Sequence, residues 1–361
     1  MASFAFDPQD MSADDEGESI LIAGPPFRGY LDMIASGFES CGLRPTTLSW
    51  EYPRRNIAQE VMYYSSEGYR RMRGDAQDVV NSKVLEKAII ERGPDHVLVA
   101  KAVELTERSK AFCRDRGIKL ILWAYDSATE FPIVSRAAPG YDLVYTYEPA
   151  DLEILSSVCE PRLLPMAFDP RYYSPLKGEA ERTIDICFVG DIDFYRRRRE
   201  LLRHVARNLR NANVSVWTDS AHWYSHRRVK DMALKGLRRN LSIRRGTLGH
   251  AEINGIYNRS KACLNIHHRQ SRQAINPRTF EVLGSGGLLV TDRKLDQLSE
   301  FQDGKGYIHF EDEKGLIDSL REALGYAEYR ESIASLGNSR IQAHTYVARA
   351  RRIIEDAKRL G

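Results

Sequence analysis

Short apolar runs alternate along this chain with longer stretches whose apolar residues recur three or four positions apart. The first run is SILIA, Ser19 to Ala23, and it stops at Gly24-Pro25-Pro26. Tyr30 to Cys41 then carries Leu31, Ile34, Ala35 and Phe38 at helical spacing. Runs at Thr46 to Trp50, His96 to Ala100, Lys119 to Tyr125, Leu143 to Tyr147 and Arg162 to Met166 read as further strands. Between them, helices are expected over Asp75 to Glu91, Ala102 to Arg116 and Ala150 to Val158. The first of these three should turn Val79, Val80, Val84, Leu85, Ala88 and Ile89 inward. The polar, aromatic stretch from Arg54 to Arg73 fits neither period. Strands alternating with helices at this spacing predict a parallel sheet covered on both faces.

FDPRYYSP, Phe168 to Pro175, interrupts the alternation with two prolines and reads as a linker. The pattern then restarts. Ile184 to Val189 and Val214 to Thr218 are strands, Ser242 to Gly249 a strand or loop, and Ala262 to His267 a strand. Arg196 to Leu209 is an amphipathic helix and Ala251 to Ser260 another. A short helix, a strand at Tyr307 to Phe310 and a helix from Lys314 to Leu324 follow, and Ala327 to Leu360 is helical. The fold class is therefore α/β, with two doubly wound units in tandem. The expected division is a disordered tail over 1–18, a first domain over 19–167, a linker over 168–175, a second domain over 176–345 and a terminal helix over 346–361. Ligands bind such sheets outside the carboxyl ends of the strands, so two facing units place a site in the cleft between them.

Composition narrows the class. With 42% hydrophobic and 29% charged residues, the chain is an ordinary globular protein, and no apolar run approaches the roughly 20 residues that cross a bilayer. The acidic N-terminus lacks the basic start and apolar core of a signal peptide. Five scattered cysteines and no CxxC pair point away from a disulfide framework or a structural zinc site. A cytoplasmic location follows as the expectation. Net charge is only +3, yet Arg196 to Arg245 holds fifteen Lys or Arg against three acidic residues. Such a segment suits phosphorylated substrates or an anionic membrane surface, where each charge adds about 1 kcal/mol, or is simply a solvated basic face. Nucleic acid is disfavoured, since no helix-turn-helix, zinc finger or RNP-type motif accompanies it.

The stretch with most chemical content is NPRTFEVLGSGGLLVTD, Asn276 to Asp292. Asn276 is an N-cap, Pro277 a first helical residue, and Gly284, Gly286 and Gly287 end the helix before a strand at Leu288 to Val290. A capped helix N-terminus presents outward amides and about half a positive charge, which suits a phosphate. Arg278 and Glu281, three apart, share a face on which a guanidinium meets a phosphate and a carboxylate meets sugar hydroxyls. The plainer reading is a surface helix with an ion pair. A dinucleotide fingerprint fails because the glycines of GSGG follow a helix and lead into a strand, the GPPFRG of Gly24 lacks the spacing, and no GK[ST] occurs.

This stretch, together with Ala343-His344-Thr345-Tyr346-Val347-Ala348-Arg349-Ala350, resembles the C-terminal domain of CgeB-like, group 1 glycosyltransferases. Those enzymes show R-x-FE-x-L-x-x-GG-x-LL-x-TD and a later HTY-x-x-RA. Phe188-Val189-Gly190 with Arg198-Arg199-Glu200-Leu201-Leu202 is similar to the first strand, loop and helix of that domain, and Pro165 to Pro175 to its linker. The likeness covers roughly residues 160 to 355. It implies a GT-B fold, two Rossmann-like doubly wound domains facing across a cleft, with a nucleotide-sugar donor held by the second. By position, Glu281 would accept the donor ribose, while Arg278 and the amides of Arg278, Thr279 and Phe280, capped by Asn276, would hold the diphosphate. Gly24 and Gly190 would bind the donor, Gly190 by admitting backbone, and Arg198 would be a phosphate contact, while His267 and His268, which end the strand before the motif, either reach the cleft or serve as surface or packing residues. The sequence departs from the family at Gln273, where a second glutamate often faces the donor sugar.

An inverting transfer needs a general base for the acceptor hydroxyl. Asp126, just past KLILWAY, is the candidate, with Glu130 behind it; an N-cap role is the alternative for Asp126. No metal site is expected, because arginines and helix amides can stabilise a departing diphosphate, and Asp191-Ile192-Asp193 lies on the phosphate loop. No cofactor is expected beyond the nucleotide-sugar substrate (UDP, GDP or TDP), whose sugar would pass to a hydroxyl of a glycan, lipid-linked, protein or small-molecule acceptor. The rival readings are a nucleotide-sugar epimerase or hydrolase of the same fold, and a basic binding module without chemistry.

Overall fold

The computed structural model describes residues 17–26, 28–50, 62, 66–101, 104–176, 178, 181–192, 195–218, 239–268 and 271–360. Most of the expected tail, residues 219–238 of the basic segment, and Asp193 lie outside the described residues. Two six-stranded sheets form the frame, and every strand pair is parallel. The first contains β1 (Ser19–Gly24), β2 (Arg44–Ser49), β3 (His96–Ala100), β4 (Lys119–Ala124), β5 (Leu143–Thr146) and β6 (Pro161–Leu163) in the order β2-β1-β3-β4-β5-β6. The second contains β7 (Ile184–Val189), β8 (Val214–Thr218), β9 (Leu241–Arg245), β10 (Ser260–Asn265), β11 (Leu289–Thr291) and β12 (Ile308–His309) in the order β12-β11-β10-β7-β8-β9. The winding reverses between β1 and β3 in one sheet and between β7 and β10 in the other. Crevices open at such reversals.

The central strands read as continuous apolar runs because both faces are covered: Leu120, Ile121, Leu122, Trp123 and Ala124 are all buried. Helix α1 (Tyr30–Glu39) packs Met33, Ile34 and Phe38 beneath the first sheet. Helix α2 (Glu67–Arg92) is longer than the spacing predicts, and its inner face differs. Leu85, Ala88 and Ile89 are buried with Asn81 and Ser82, but Val79, Val80 and Val84 are 43%, 52% and 41% exposed. At about 100° per residue, the five buried residues share one arc and the three valines fall outside it. Six apolar residues spread over more than one face cannot all turn inward. Helix α3 (Glu107–Arg114) is shorter than expected, and α4 (Ile133–Ala137) was not signalled by any period. The long helical tail is two helices, α10 (Ala327–Ile341) and α11 (Tyr346–Lys358), separated where Thr345 caps the second through its side chain.

The chain crosses between the two units twice, and the crossings touch. Phe168 and Thr345 form a parallel bridge, with Phe168 N–H donating to His344 O and Tyr346 N–H to Phe168 O. Arg349 clamps the first crossing by donating to the carbonyls of Pro165 at 2.8 Å and Met166 at 3.1 Å. His344 is held between the Arg349 guanidinium and Glu300. The HTY-x-x-RA pattern is thus the hardware of the crossing. Beyond it, α11 returns to the first unit. It lies so close to α1 that a β-carbon on Gly37 would stand 2.5 Å from Tyr346 O. Its buried Asp356 accepts from Tyr145 at 2.9 Å and pairs with Arg162 at 3.1 Å.

Candidate functional site

A cavity of about 470 Å³ lies where the two strand reversals face each other. From the first unit, Arg28 follows β1, Lys101 follows β3, and Tyr125 and Asp126 follow β4. From the second, Gly190 and Asp191 follow β7, Asn265 ends β10, and Arg198 and Arg278 come from the helices beyond. Asp126 is 18% exposed through its side chain and forms an ion pair with Lys101 at 3.3 Å. The loop it opens is fixed from behind. The wholly buried Asp151, first residue of α5 (Asp151–Leu155), accepts from Ser127 Oγ, from the amides of Ala128 and Thr129, and from the hydroxyls of Thr129 and Thr146. Beside Asp126, the Tyr125 hydroxyl is buried without a hydrogen-bond partner, and burial pushes its pKa well up.

The opposite wall is cationic. Helix α6 (Arg196–Asn208) begins with four arginines that go four ways. Arg196 pairs with Glu200 on the surface, Arg197 reaches Asp292, and Arg199 donates to the Ile192 carbonyl. Only the third of the four lines the cavity. Arg198 donates to Ile266 O at 2.8 Å and to Asp191 O at 2.9 Å, with Tyr195 stacked 4.5 Å from its guanidinium carbon. Burial lowers its pKa to about 10, which leaves it charged at neutral pH. Gly190 matters sterically, because a β-carbon there would meet the Phe188 ring at 3.3 Å.

Helix α8 (Pro277–Gly284) has the expected start, with Pro277 at its first turn and Asn276 as N-cap. Asn276 Oδ1 accepts from the Thr279 amide, and its amide exchanges hydrogen bonds with Asn265. Arg278 lines the cavity, but Glu281 lies behind it, 1% exposed. Both Glu281 oxygens accept from Arg278 Nη1 at 2.9 Å, and the Tyr30 hydroxyl donates at 3.3 Å. Burial, with the carboxylate beside it, pushes the Tyr30 pKa up to about 12. The loop before α8 is gripped from the first unit: the buried Glu148 accepts from the amides of Gln273 at 2.9 Å and Ala274 at 3.1 Å. Gln273 itself turns its side chain outward.

Asp126, Gly190, Arg198, Asn276 and Arg278 therefore meet around one cavity. Gly24, His267, Thr279, Phe280 and Glu281 do not line it. Gly24 is the last residue of β1, where a β-carbon would press within 2.7 Å of Ala100 O. Thr279 and Phe280 are fully buried in the body of the helix. His267 is buried against Asp292, Nδ1 to Oδ1 at 3.0 Å, and burial lowers its pKa. Glu130 lies in the turn after Ser127, off the cavity wall. Arg28, Lys101, Glu148 and Asp151 had no sequence signal, since each depends on a partner from a different element. Among the described residues no group of three or more His, Cys, Asp or Glu side chains could hold a metal ion, and no helix is long and apolar enough to cross a membrane.

Residues 196–355 match the model of a family described as glycosyl transferase-like, a span that contains the Asn276–Asp292 stretch. No curated protein matches the chain. Solved structures match it along nearly its whole length. The α,α-trehalose 6-phosphate synthase of Burkholderia multivorans is 12% identical with a TM-score of 0.68, covering 95% of this chain and 99% of that one. Anabaena HepE in complex with UDP-glucose is 10% identical with a TM-score of 0.65, covering 94% and 99%. UDP-GlcNAc 2-epimerase of Neisseria meningitidis bound to UDP-GlcNAc is 9% identical with a TM-score of 0.56, covering 95% and 100%. At such identities the likeness establishes the fold, which is GT-B as expected.

Proposed function

We propose that this protein is a glycosyltransferase, passing a sugar from a nucleotide-sugar donor to an acceptor hydroxyl within the cleft. The observation that carries the reading is one cavity with arginines on the second-unit wall and a carboxylate on the first-unit wall. Arg198 and Arg278 suit the diphosphate of the donor. UDP-sugars in the HepE and epimerase structures favour uridine over the other bases.

In the proposed reaction the Asp126 carboxylate takes the acceptor's hydroxyl proton as that oxygen bonds to the anomeric carbon. The bond from that carbon to the diphosphate breaks, and the nucleoside diphosphate leaves with the electron pair. Two fixed guanidinium groups meet the charge that develops on it, so the reaction is proposed to run without a metal. The test is incubation with UDP-, GDP- and TDP-sugars, with and without acceptor mixtures and EDTA, following released nucleotide and the fate of the sugar. Acceptor-stimulated release that EDTA alters less than twofold is expected. Return of the sugar as its epimer would favour the isomerase reading, and no binding or turnover of any nucleotide would overturn both.

A further inference from the structure

Two residues of the cavity wall stand apart from the donor chemistry. Among the described residues, Arg28 (φ 50°) and Lys101 (φ 70°) are the only non-glycine positions in the left-handed region. Each such placement strains an L-residue and persists only where the surroundings enforce it. Both are cations, both line the same cavity, and both follow neighbouring strands, β1 and β3, at the reversal of the first sheet. Their backbones are pinned. His250, at the start of α7 (His250–Asn258), lies 2.7 Å through Nε2 from Arg28 O, while Tyr173 Oη lies 2.6 Å from Nδ1. A carbonyl only accepts, so the ring donates to it from Nε2. Lys101 N–H donates to Trp123 O at 2.9 Å.

The lysine is 45% exposed and its ion pair with Asp126 spans 3.3 Å, so solvent screens the pair and it yields to a stronger anion. We propose that Arg28 and Lys101 form a phosphate-recognition site on the first-unit side of the cleft, and that the acceptor is therefore a phosphate monoester whose reacting hydroxyl is delivered to Asp126. Two cations match a dianion. The phosphate draws Lys101 away from Asp126 and leaves that carboxylate open to the incoming hydroxyl. The inference rests on the transferase reading and names its acceptor class.

The test is calorimetry on the full chain, first with UDP, GDP and TDP and then with inorganic phosphate on the nucleotide-saturated protein. Saturating nucleotide occupies Arg198 and Arg278, so any remaining phosphate site is a second one. Phosphate is expected to bind the saturated wild type at millimolar concentration, and Lys101→Gln and Arg28→Gln to weaken it at least tenfold. Glucose 6-phosphate and phosphatidic-acid vesicles are then added as competitors, and displacement by one or the other assigns a soluble or a lipid-borne monoester. Displacement by neither leaves a site for the inorganic ion only and overturns the acceptor assignment. Nucleotide binding without phosphate binding overturns this inference alone, whereas no heat with any nucleotide overturns the donor reading.

Discussion

Asp126 and Glu281 are both carboxylates that the sequence singles out, and they end in opposite situations. Asp126 faces the cavity beside Lys101, whereas Glu281 is sealed behind Arg278 and Tyr30. The three-residue spacing foretells the Arg278–Glu281 contact but not its burial, because the cover comes from Tyr30, far away in the chain. Removing one partner of such a buried pair costs about 3–5 kcal/mol, so a change at Glu281 tests stability before it tests ligand affinity. Asp126 is the cleaner test. Asp126→Asn should keep nucleotide affinity and lower transfer by about 100-fold or more, the usual contribution of a general base. Wild-type turnover in steady-state assays would remove Asp126 from the chemistry.

At the scale of elements, the loop that Asp126 opens is shaped by a residue that looks like an unremarkable helix start. Asp151 gathers three hydroxyls and two amides around a carboxylate with no solvent access. Asp151→Ala strands those donors, each at about 1–3 kcal/mol when left without a partner. Urea unfolding should show a loss of roughly 3 kcal/mol or more, with turnover falling alongside. A variant as stable as the wild type would show that something else holds the loop. The strands and the start of α8 were legible because apolar runs and caps are local signals. The turn of α2 was not, since six apolar residues at mixed spacing leave the inner face undetermined until the sheet selects it. Nor was Glu148 on the Gln273 and Ala274 amides, a contact made across the cleft.

For the whole molecule, buried histidines set the response to acid. Burial lowers His267, and burial followed by the Arg349 charge lowers His344, below the ordinary value of 6.5. The folded state thus favours neutral rings, and the unfolded chain binds the extra protons. Stability is full above the ordinary value and declines as pH falls through it toward the folded values. Asp356 behaves differently. Burial alone would raise it, but hydrogen bonds from Tyr145, Arg162 and Arg352 outweigh that and hold it below 3.8, so its contribution survives to lower pH. The urea midpoint should therefore be lower at pH 5.5 than at pH 7.5. A flat or opposite trend would show that the histidines accept protons without strain.

The return of α11 onto α1 has a consequence for how such a protein can be taken apart or recombined. The unit that carries Asp126 is assembled from both ends of the chain, with Asp356 locking onto Tyr145 and Arg162. A cut at either crossing alone would leave one fragment without its closing helix. Exchange of this first unit between relatives of this architecture must then be a two-junction graft, entering near Phe168 and leaving near Thr345, where the two crossings already lie side by side.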